Sequence, residues 1–351
     1  MKKPDHIQRS VDAARRDLLK MMGLLAAGTN FFWPDALFQT LATADEQKLA
    51  AESAVIGRRE IIMGLDGMSR VAEPGGNPFA GGHSAAAVMS SAFFCRNENL
   101  EEETQKEILS HLKARLLTRP IYAPRAKETA DQELVDHLVN DLDAGIDTLR
   151  QSGHNIIFTV ISLKALQAVP DAATPARVDG LRKMVRSFGT KGGGKLPLEN
   201  QESFVDLSDE QEFIRFVFEE YLKALELYLN GKGHHGFAGH VLTIGHALVE
   251  LDRMGHKETA RKGIEAYWQF VQQARDGADL GGKKVLDSPP PHHSVLTHDY
   301  WSEQGKRETG EIVSSHLIKY PYSFYALAKE VRDDDLKKRI FERLYHLTAI
   351  S

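Results

Sequence analysis

Apolar runs of helical length recur along the chain, and four of them follow a histidine that comes after small residues. The runs cover 84–94, 155–166, 241–251 and 317–327, and they follow His83, His154, His240 and His316. The residues four and eleven positions beyond each histidine belong to these runs, and offsets of four and eleven return to one face of an α-helix. The pattern therefore predicts four helices, each with a buried face that starts at the histidine.

Amphipathic segments separate these runs. Segments 131–151 and 208–229 each precede a histidine run, and segments 174–187 and 257–275 each follow one. No segment has the alternation that is typical of a strand. The repetition predicts an all-α fold, either an α/α toroid or a helical-hairpin array, with four His-initiated inner helices. Long loops are expected at 189–207 and 276–310.

Composition limits the classes of function. The 351 residues are 42% hydrophobic and 26% charged, with a net charge of −5, so the chain is typical of a soluble globular protein and gives no basis for nucleic-acid binding. A lone cysteine, Cys95, excludes an intrachain disulfide and a cysteine-based zinc site. With 15 histidines, any metal is expected to use imidazole and carboxylate ligands.

The N-terminus resembles a twin-arginine export signal. Residues 14–20 read Ala-Arg-Arg-Asp-Leu-Leu-Lys, a short apolar segment follows at 21–33, and Ala-Thr-Ala at 42–44 fits a cleavage site. We expect a signal peptide at 1–44, the twin-arginine translocase as a partner, a periplasmic or extracellular location, and no stable membrane span after cleavage. The rest, 45–351, is expected to be a single toroid-like domain. An amphipathic first helix of a cytoplasmic protein is the alternative.

The repeated histidines are the candidate site. If the four helices point the same way around one axis, the imidazoles converge at one mouth, and a histidine near a helix N-terminus is biased towards the neutral ring that binds metals or accepts protons. We expect His83, His154, His240 and His316 to act as ligands of Zn, Fe or Cu or as general bases, with a carboxylate such as Asp299, Glu303 or Glu311. Alternatively, a duplication repeated four structural histidines.

Further candidates lie nearby in the sequence. Tyr320 or Tyr322 is expected to donate a hydrogen bond to a substrate oxygen, and Lys319 to supply a positive charge. The segment 276–310 is rich in aromatic and titratable residues and is a candidate lid over the mouth. His246, six residues after His240, is expected to be a core histidine, because an offset of six does not place two rings side by side.

The run Gly-His-Val-Leu-Thr-Ile-Gly-His-Ala-Leu at 239–248 and the run His-Leu-Ile-Lys at 316–319 resemble the questin oxidase-like family. The resemblance covers roughly residues 80–330. It implies an all-helical fold, Baeyer–Villiger-type ring opening of polycyclic aromatic ketones with NADPH, and a pocket lined by Lys319 and the four repeated histidines. Free NADPH is not expected outside the cytoplasm, so the predicted export conflicts with this cosubstrate.

These observations favour an exported oxidoreductase that acts on an apolar, ring-containing small molecule in a cleft ringed by histidines. A lyase or hydrolase of uronic-acid polysaccharides is the first alternative, and it predicts an open groove lined by arginine. A non-enzymatic helical-repeat scaffold is the second, and it predicts histidine rings that are scattered over the surface.

Overall fold

A computed structural model describes residues 55–188, 205, 207–233, 235–276, 293–307 and 309–348. Within these ranges all regular structure is helical, which confirms the predicted all-α class. The described residues belong to one compact unit, Ala54–Ser351. The predicted signal peptide and its boundary at residue 44 lie outside the described residues. None of the described helices combines the length and apolar character needed to cross a membrane.

Four helices carry the repeated histidines, and we call them the inner helices: α2 (Pro78–Asn97), α5 (His154–Ala168), α8 (His235–Arg253) and α11 (Glu311–Ala328). The other helices are α1 (Arg58–Met68), α3 (Glu102–Arg115), α4 (Glu133–Asp143), α6 (Pro175–Ser187), α7 (Glu210–Leu229), α9 (Lys257–Asp276), α10 (His298–Gly305) and α12 (Asp334–Arg343). A helical turn at Tyr345–Thr348 follows α12.

The inner helices pack on one another in cyclic order. Helix α2 contacts α5, α5 contacts α8, α8 contacts α11, and α11 contacts α2. Residues 81–95 of α2 and 154–163 of α5 are buried without interruption, as expected for helices that are covered on every side. The more polar helix α1 packs on α2, and α7 and α9 pack on α8. A complete toroid, with one outer helix for every inner helix, stays a prediction.

The prediction that a histidine opens each inner helix is right for His154 and wrong for the other three. His83, His240 and His316 are each the sixth residue of their helices. The glycines that precede His83 and His240 suggested helix breaks, but they lie inside the helices. Helix α2 instead begins where Asn77 accepts a hydrogen bond from the Ala80 amide, with a proline at the first helical position.

The glycines before the histidines allow close packing between inner helices. A Cβ atom on any of the three would overlap a side chain of the next inner helix, and that side chain is always the one four positions after the next histidine. The contacts are Phe158 against Gly82, Ile244 against Gly153, and Tyr320 against Gly239. The same small-against-large contact therefore recurs around the ring, which explains why small residues precede these histidines.

Candidate metal centre

The four repeated histidines form a buried cluster at one end of the inner helices. Their side chains are almost fully buried. The ring centroids are 4.5 Å apart for His83 and His154, 4.6 Å for His154 and His240, 5.1 Å for His83 and His316, and 5.9 Å for His240 and His316. All four lie near the N-terminal ends of their helices, so these ends meet at one place. The four rings therefore converge, as the repeat predicts, and they are not scattered over the surface.

Three histidines of the cluster are oriented by main-chain carbonyl groups. Nδ1 of His83 lies 2.8 Å from the Phe79 carbonyl oxygen, and Nδ1 of His240 lies 3.0 Å from that of Ser152. Nδ1 of His154 contacts the Gln151 carbonyl oxygen. Because a carbonyl oxygen can only accept, each Nδ1 carries the proton in these contacts. This arrangement is typical of metal-binding histidines, in which one nitrogen donates to a carbonyl group and the other binds the ion.

The two carbonyls that orient His154 and His240 come from a strained turn. Gln151, Ser152 and Gly153 have φ values of +43°, +58° and +82°, a region that side-chain-bearing residues rarely occupy. The turn directs successive carbonyls towards rings on two different helices. Such strain costs on the order of 1–3 kcal/mol for each of Gln151 and Ser152, whereas Gly153 adopts its φ without it, and strain of this kind concentrates at functional sites.

The inward nitrogens of three of these rings lie close to one another. One nitrogen from each of His83, His154 and His240 falls within 4.8 Å of the other two, and Nε2 of His83 is 3.0 Å from Nε2 of His154. With both Nδ1 atoms protonated, these two Nε2 atoms face each other as acceptors, and only a proton or a cation can satisfy both. Burial holds the pKa of both rings well below 6.5, which disfavours the proton. A metal ion meets the requirement.

His316 belongs to the cluster but not to this three-histidine group. Both of its ring nitrogens are buried without a hydrogen-bond partner, and the ring stacks on Tyr320 with centroids 4.4 Å apart. Burial, followed by the charge of Lys319, holds its pKa well below 6.5. Of the four predicted ligands, three are close enough to share an ion and His316 flanks them.

Lys319 lies one turn beyond His316 and is 4% exposed. It makes no hydrogen bond or ion pair with the described residues, and its Nζ lies 5.5 Å from the centre of the Phe158 ring. Burial lowers the pKa of its amine from 10.5 to about 7. Its charge in turn helps to lower the pKa of His83, His154 and His316. The amine can therefore accept or donate a proton next to the histidine cluster near neutral pH.

A small cavity, which we call the axial cavity, lies between the inner helices and is partly lined by Lys319. About 30 Å³ of it is accessible to the centre of a water-sized sphere, enough for one or two water molecules. Tyr322 also lines it, whereas the Tyr320 ring packs against Gly239. The lining comes from all four inner helices: Ala86, Ser90, Ile157, Val160, Ile161, Lys164, Thr243, His246, Ala247, Glu250, Lys319, Tyr322 and Ser323.

The axial cavity also contains a buried polar chain that the sequence analysis missed. The Ser323 hydroxyl lies 3.1 Å from Nδ1 of His246, Nε2 of His246 lies 3.4 Å from a Glu250 oxygen, and Glu250 forms an ion pair with Lys164. One signal for it was available, because Lys164 and Glu250 are each the tenth residue after a repeated histidine. His246 is buried as expected, but it is also part of this chain.

The carboxylates expected near the histidines are elsewhere. Glu311 contacts Ser84 and Arg119, and Asp299 and Glu303 lie close to His293 and His298 on the surface. Within the described ranges, the metal-ligand group contains imidazoles alone.

Part of the predicted loop and lid at 276–310 is helix α10, which packs against α3. Tyr300 and Trp301 are fully buried, and they donate hydrogen bonds to the carbonyls of Thr348 and Val295. These two aromatic residues are part of the core rather than of a lid.

Comparison of the chain with protein-family models, curated proteins and solved structures gives no match. The resemblance to the questin oxidase-like family therefore remains a prediction, and the class of site rests on the geometry of the histidines.

Proposed function

We propose that this protein is a metal-dependent oxidoreductase whose ion is bound by His83, His154 and His240. The observation that carries the proposal is the pairing of three Nδ1 atoms with main-chain carbonyls, together with ligand nitrogens within 4.8 Å of one another. Neutral imidazoles in this arrangement suit iron, copper and zinc.

The spacing of one pair of nitrogens, those of His83 and His154, fits octahedral iron better than tetrahedral zinc. Two nitrogens that are each about 2.1 Å from one ion and lie 3.0 Å apart subtend an angle of about 90° at the ion, whereas tetrahedral zinc needs about 3.4 Å. Three protein ligands on an octahedral ion would leave open positions, as the triad of two histidines and one carboxylate does in non-haem iron(II) oxygenases; here all three candidate ligands are imidazoles. An iron(II) ion held by these residues would supply the chemistry of dioxygen activation, and incorporation of both oxygen atoms of dioxygen into a substrate would require no further reductant.

The chain's own residues supply the surroundings for this chemistry. The strained turn at 151–153 holds two of the three ligands, and Lys319 can exchange a proton close to the ion. The NADPH that the family resemblance implies is not required by this reaction and stays a prediction of the resemblance.

Substrate identity is also a prediction. An apolar ring-containing substrate agrees with the aliphatic walls at Ile157, Val160 and Ile161, but a benzene ring fits a cavity of about 150 Å³, so the axial cavity of about 30 Å³ must widen to accept one. No arginine lines the axial cavity, so the groove expected of a polysaccharide lyase finds no support there.

Metal content and nitric oxide binding test the proposal. Protein produced with iron and kept anaerobic should contain about one ion per chain by mass spectrometry. His83→Gln, His154→Gln and His240→Gln should each lose most of the metal, whereas the matched control His316→Gln should retain it. Nitric oxide should give the electron paramagnetic resonance signal of an iron(II)–nitrosyl complex, because open positions are available.

Two outcomes contradict the proposal in different ways. Protein that contains no metal, and whose melting temperature does not rise with iron, zinc or copper, has no metal centre. Protein that retains only zinc and forms no nitrosyl complex when supplied with iron has a metal centre but is not an iron oxidoreductase.

A further inference from the structure

The axial cavity lies directly beyond the histidine cluster on the axis of the inner helices. On every inner helix, the residues three and seven positions after the repeated histidine line this cavity. On α11 these residues are Lys319 and Ser323. A rise of about 1.5 Å per residue places these two levels roughly 4.5 Å and 10.5 Å from the histidines. A molecule in the axial cavity is therefore a neighbour of the proposed metal ion.

Hydrogen-bond donors are in excess in this cavity. The Lys319 amine has no partner among the described residues, and the Tyr322 hydroxyl is buried without one. Burial raises the pKa of Tyr322 well above 10, so this hydroxyl keeps its proton. Glu250, the one carboxylate in the lining, already contacts Lys164 and His246. What the axial cavity lacks is an acceptor, because a buried donor left unpaired costs free energy.

The balance of charge specifies the kind of acceptor. Lys164 and Glu250 compensate each other, and burial lowers the pKa of His246, which favours its neutral form. The remaining charge in the lining is that of Lys319 when it is protonated. An anion next to Lys319 balances this charge and stabilises the ammonium form.

Size and wall chemistry narrow the anion further. The accessible volume of about 30 Å³ admits a molecule of two to four heavy atoms. Ile157, Ile161 and Ala247 supply apolar walls to the same cavity, and these walls suit a hydrogen atom or a methyl group. A small carboxylate has two acceptor oxygens for the two unpaired donors and an apolar remainder for the walls.

We propose that the axial cavity is a binding site for a carboxylate of formate or acetate size, whose oxygens accept hydrogen bonds from Lys319 and Tyr322. The binding itself does not depend on the metal. The inference therefore goes beyond the proposed function, and it holds whether or not a metal ion is bound.

Thermal unfolding of the full-length protein tests this site. At constant ionic strength, formate and acetate should raise the melting temperature in a saturable way, since a ligand that binds only the folded state stabilises it. Acetamide, which has the shape but not the charge, and benzoate, which exceeds the cavity, should have no effect. Lys319→Met should weaken acetate binding at least 100-fold and Tyr322→Phe about 10-fold, and the exposed control Lys329→Met should leave it unchanged.

Chelated and metal-loaded protein separate this proposal from the proposed function. Acetate binding that survives chelation and is lost in Lys319→Met supports the axial cavity, even in a protein found to contain no metal. Acetate binding that is lost on chelation or in His154→Gln, and is unchanged in Lys319→Met, places the anion on the metal and overturns the site. Absence of saturable binding also overturns it.

Discussion

Replacement of Lys319 by methionine is expected to stabilise the ligand-free protein, although it removes a charged residue from the candidate site. The amine is buried and unpaired, and its pKa falls from 10.5 in the unfolded chain to about 7 in the folded protein. Each unit of that difference corresponds to about 1.36 kcal/mol, so 3.5 units amount to roughly 5 kcal/mol of lost stability. Methionine has a similar length and no charge to bury, and it should recover much of this.

The effect of Lys319 on the free energy of unfolding depends on pH. Between pH 7 and pH 10.5 the unfolded chain binds a proton on this amine that the folded protein does not bind, so the wild-type free energy of unfolding rises with pH across this window. The loss of stability is complete below pH 7 and disappears above pH 10.5. Lys319→Met lacks this term, so its advantage over the wild type should be largest at pH 6–7 and should vanish near pH 10.5.

Urea denaturation of chelated, carboxylate-free protein at intervals from pH 6 to pH 10.5 measures this difference, and subtraction of the two proteins cancels the other titrating groups. Lys164→Met is the matched control, because Lys164 lies in the same cavity but is paired with Glu250. Its removal leaves Glu250 with His246 as its remaining partner in a largely buried site, and should destabilise the protein by at most about 3–5 kcal/mol. A Lys319→Met protein that is less stable than the wild type at pH 7, or whose advantage does not change with pH, refutes the reasoning.

Three further predictions follow from the same structure. Because burial lowers the pKa of His316, the free energy of unfolding of the chelated protein should fall as pH falls below 6.5. His316→Phe should reduce the slope of that free energy against pH by about 1.4 kcal/mol per pH unit, as measured by denaturation. An unchanged slope contradicts this prediction. Gly239→Ala should cost about 1–3 kcal/mol, because a Cβ atom overlaps the Tyr320 ring, whereas Gly305→Ala, which meets open space, should cost nothing in the same assay. The double substitution Arg15→Lys and Arg16→Lys should keep the precursor in the cytoplasm, as measured by cell fractionation. Unchanged export of this variant contradicts the predicted signal.

The sequence predicts the all-α class and the gathering of the histidines because both depend on periodicity. A run such as 154–163 contains no charged carboxylate, lysine or arginine and has apolar residues on most of its circumference, so it has no charged face to present to water and must be surrounded. Four such runs with a histidine at the same register bring the four rings to the same level if the helices are parallel. The short distances between the four rings, each of which lies near the N-terminus of its helix, meet that condition.

The helix starts and the polar chain depend on contacts that periodicity does not contain. Gly82 reads as a helix break until the Phe158 ring is seen to occupy the place of its missing side chain. His246 and Ser323 lie 77 residues apart and meet only because the rotation of α8 and α11 about their axes directs both into the axial cavity. An offset along one helix gives the level of a side chain, and the packing of neighbouring helices decides which side chains meet at that level.

The difference between His316 and the other three histidines shows how equivalent positions acquire different roles. His83 and His240 are also sixth residues of their helices, but each has a carbonyl that fixes its tautomer, whereas His316 has Tyr320 stacked on its ring and no partner for either nitrogen. A ring without a fixed tautomer presents no defined lone pair to an ion. In the proposed metal centre, α11 therefore contributes Lys319 rather than a ligand, and the four equivalent positions divide into three ligands and one neighbouring ring.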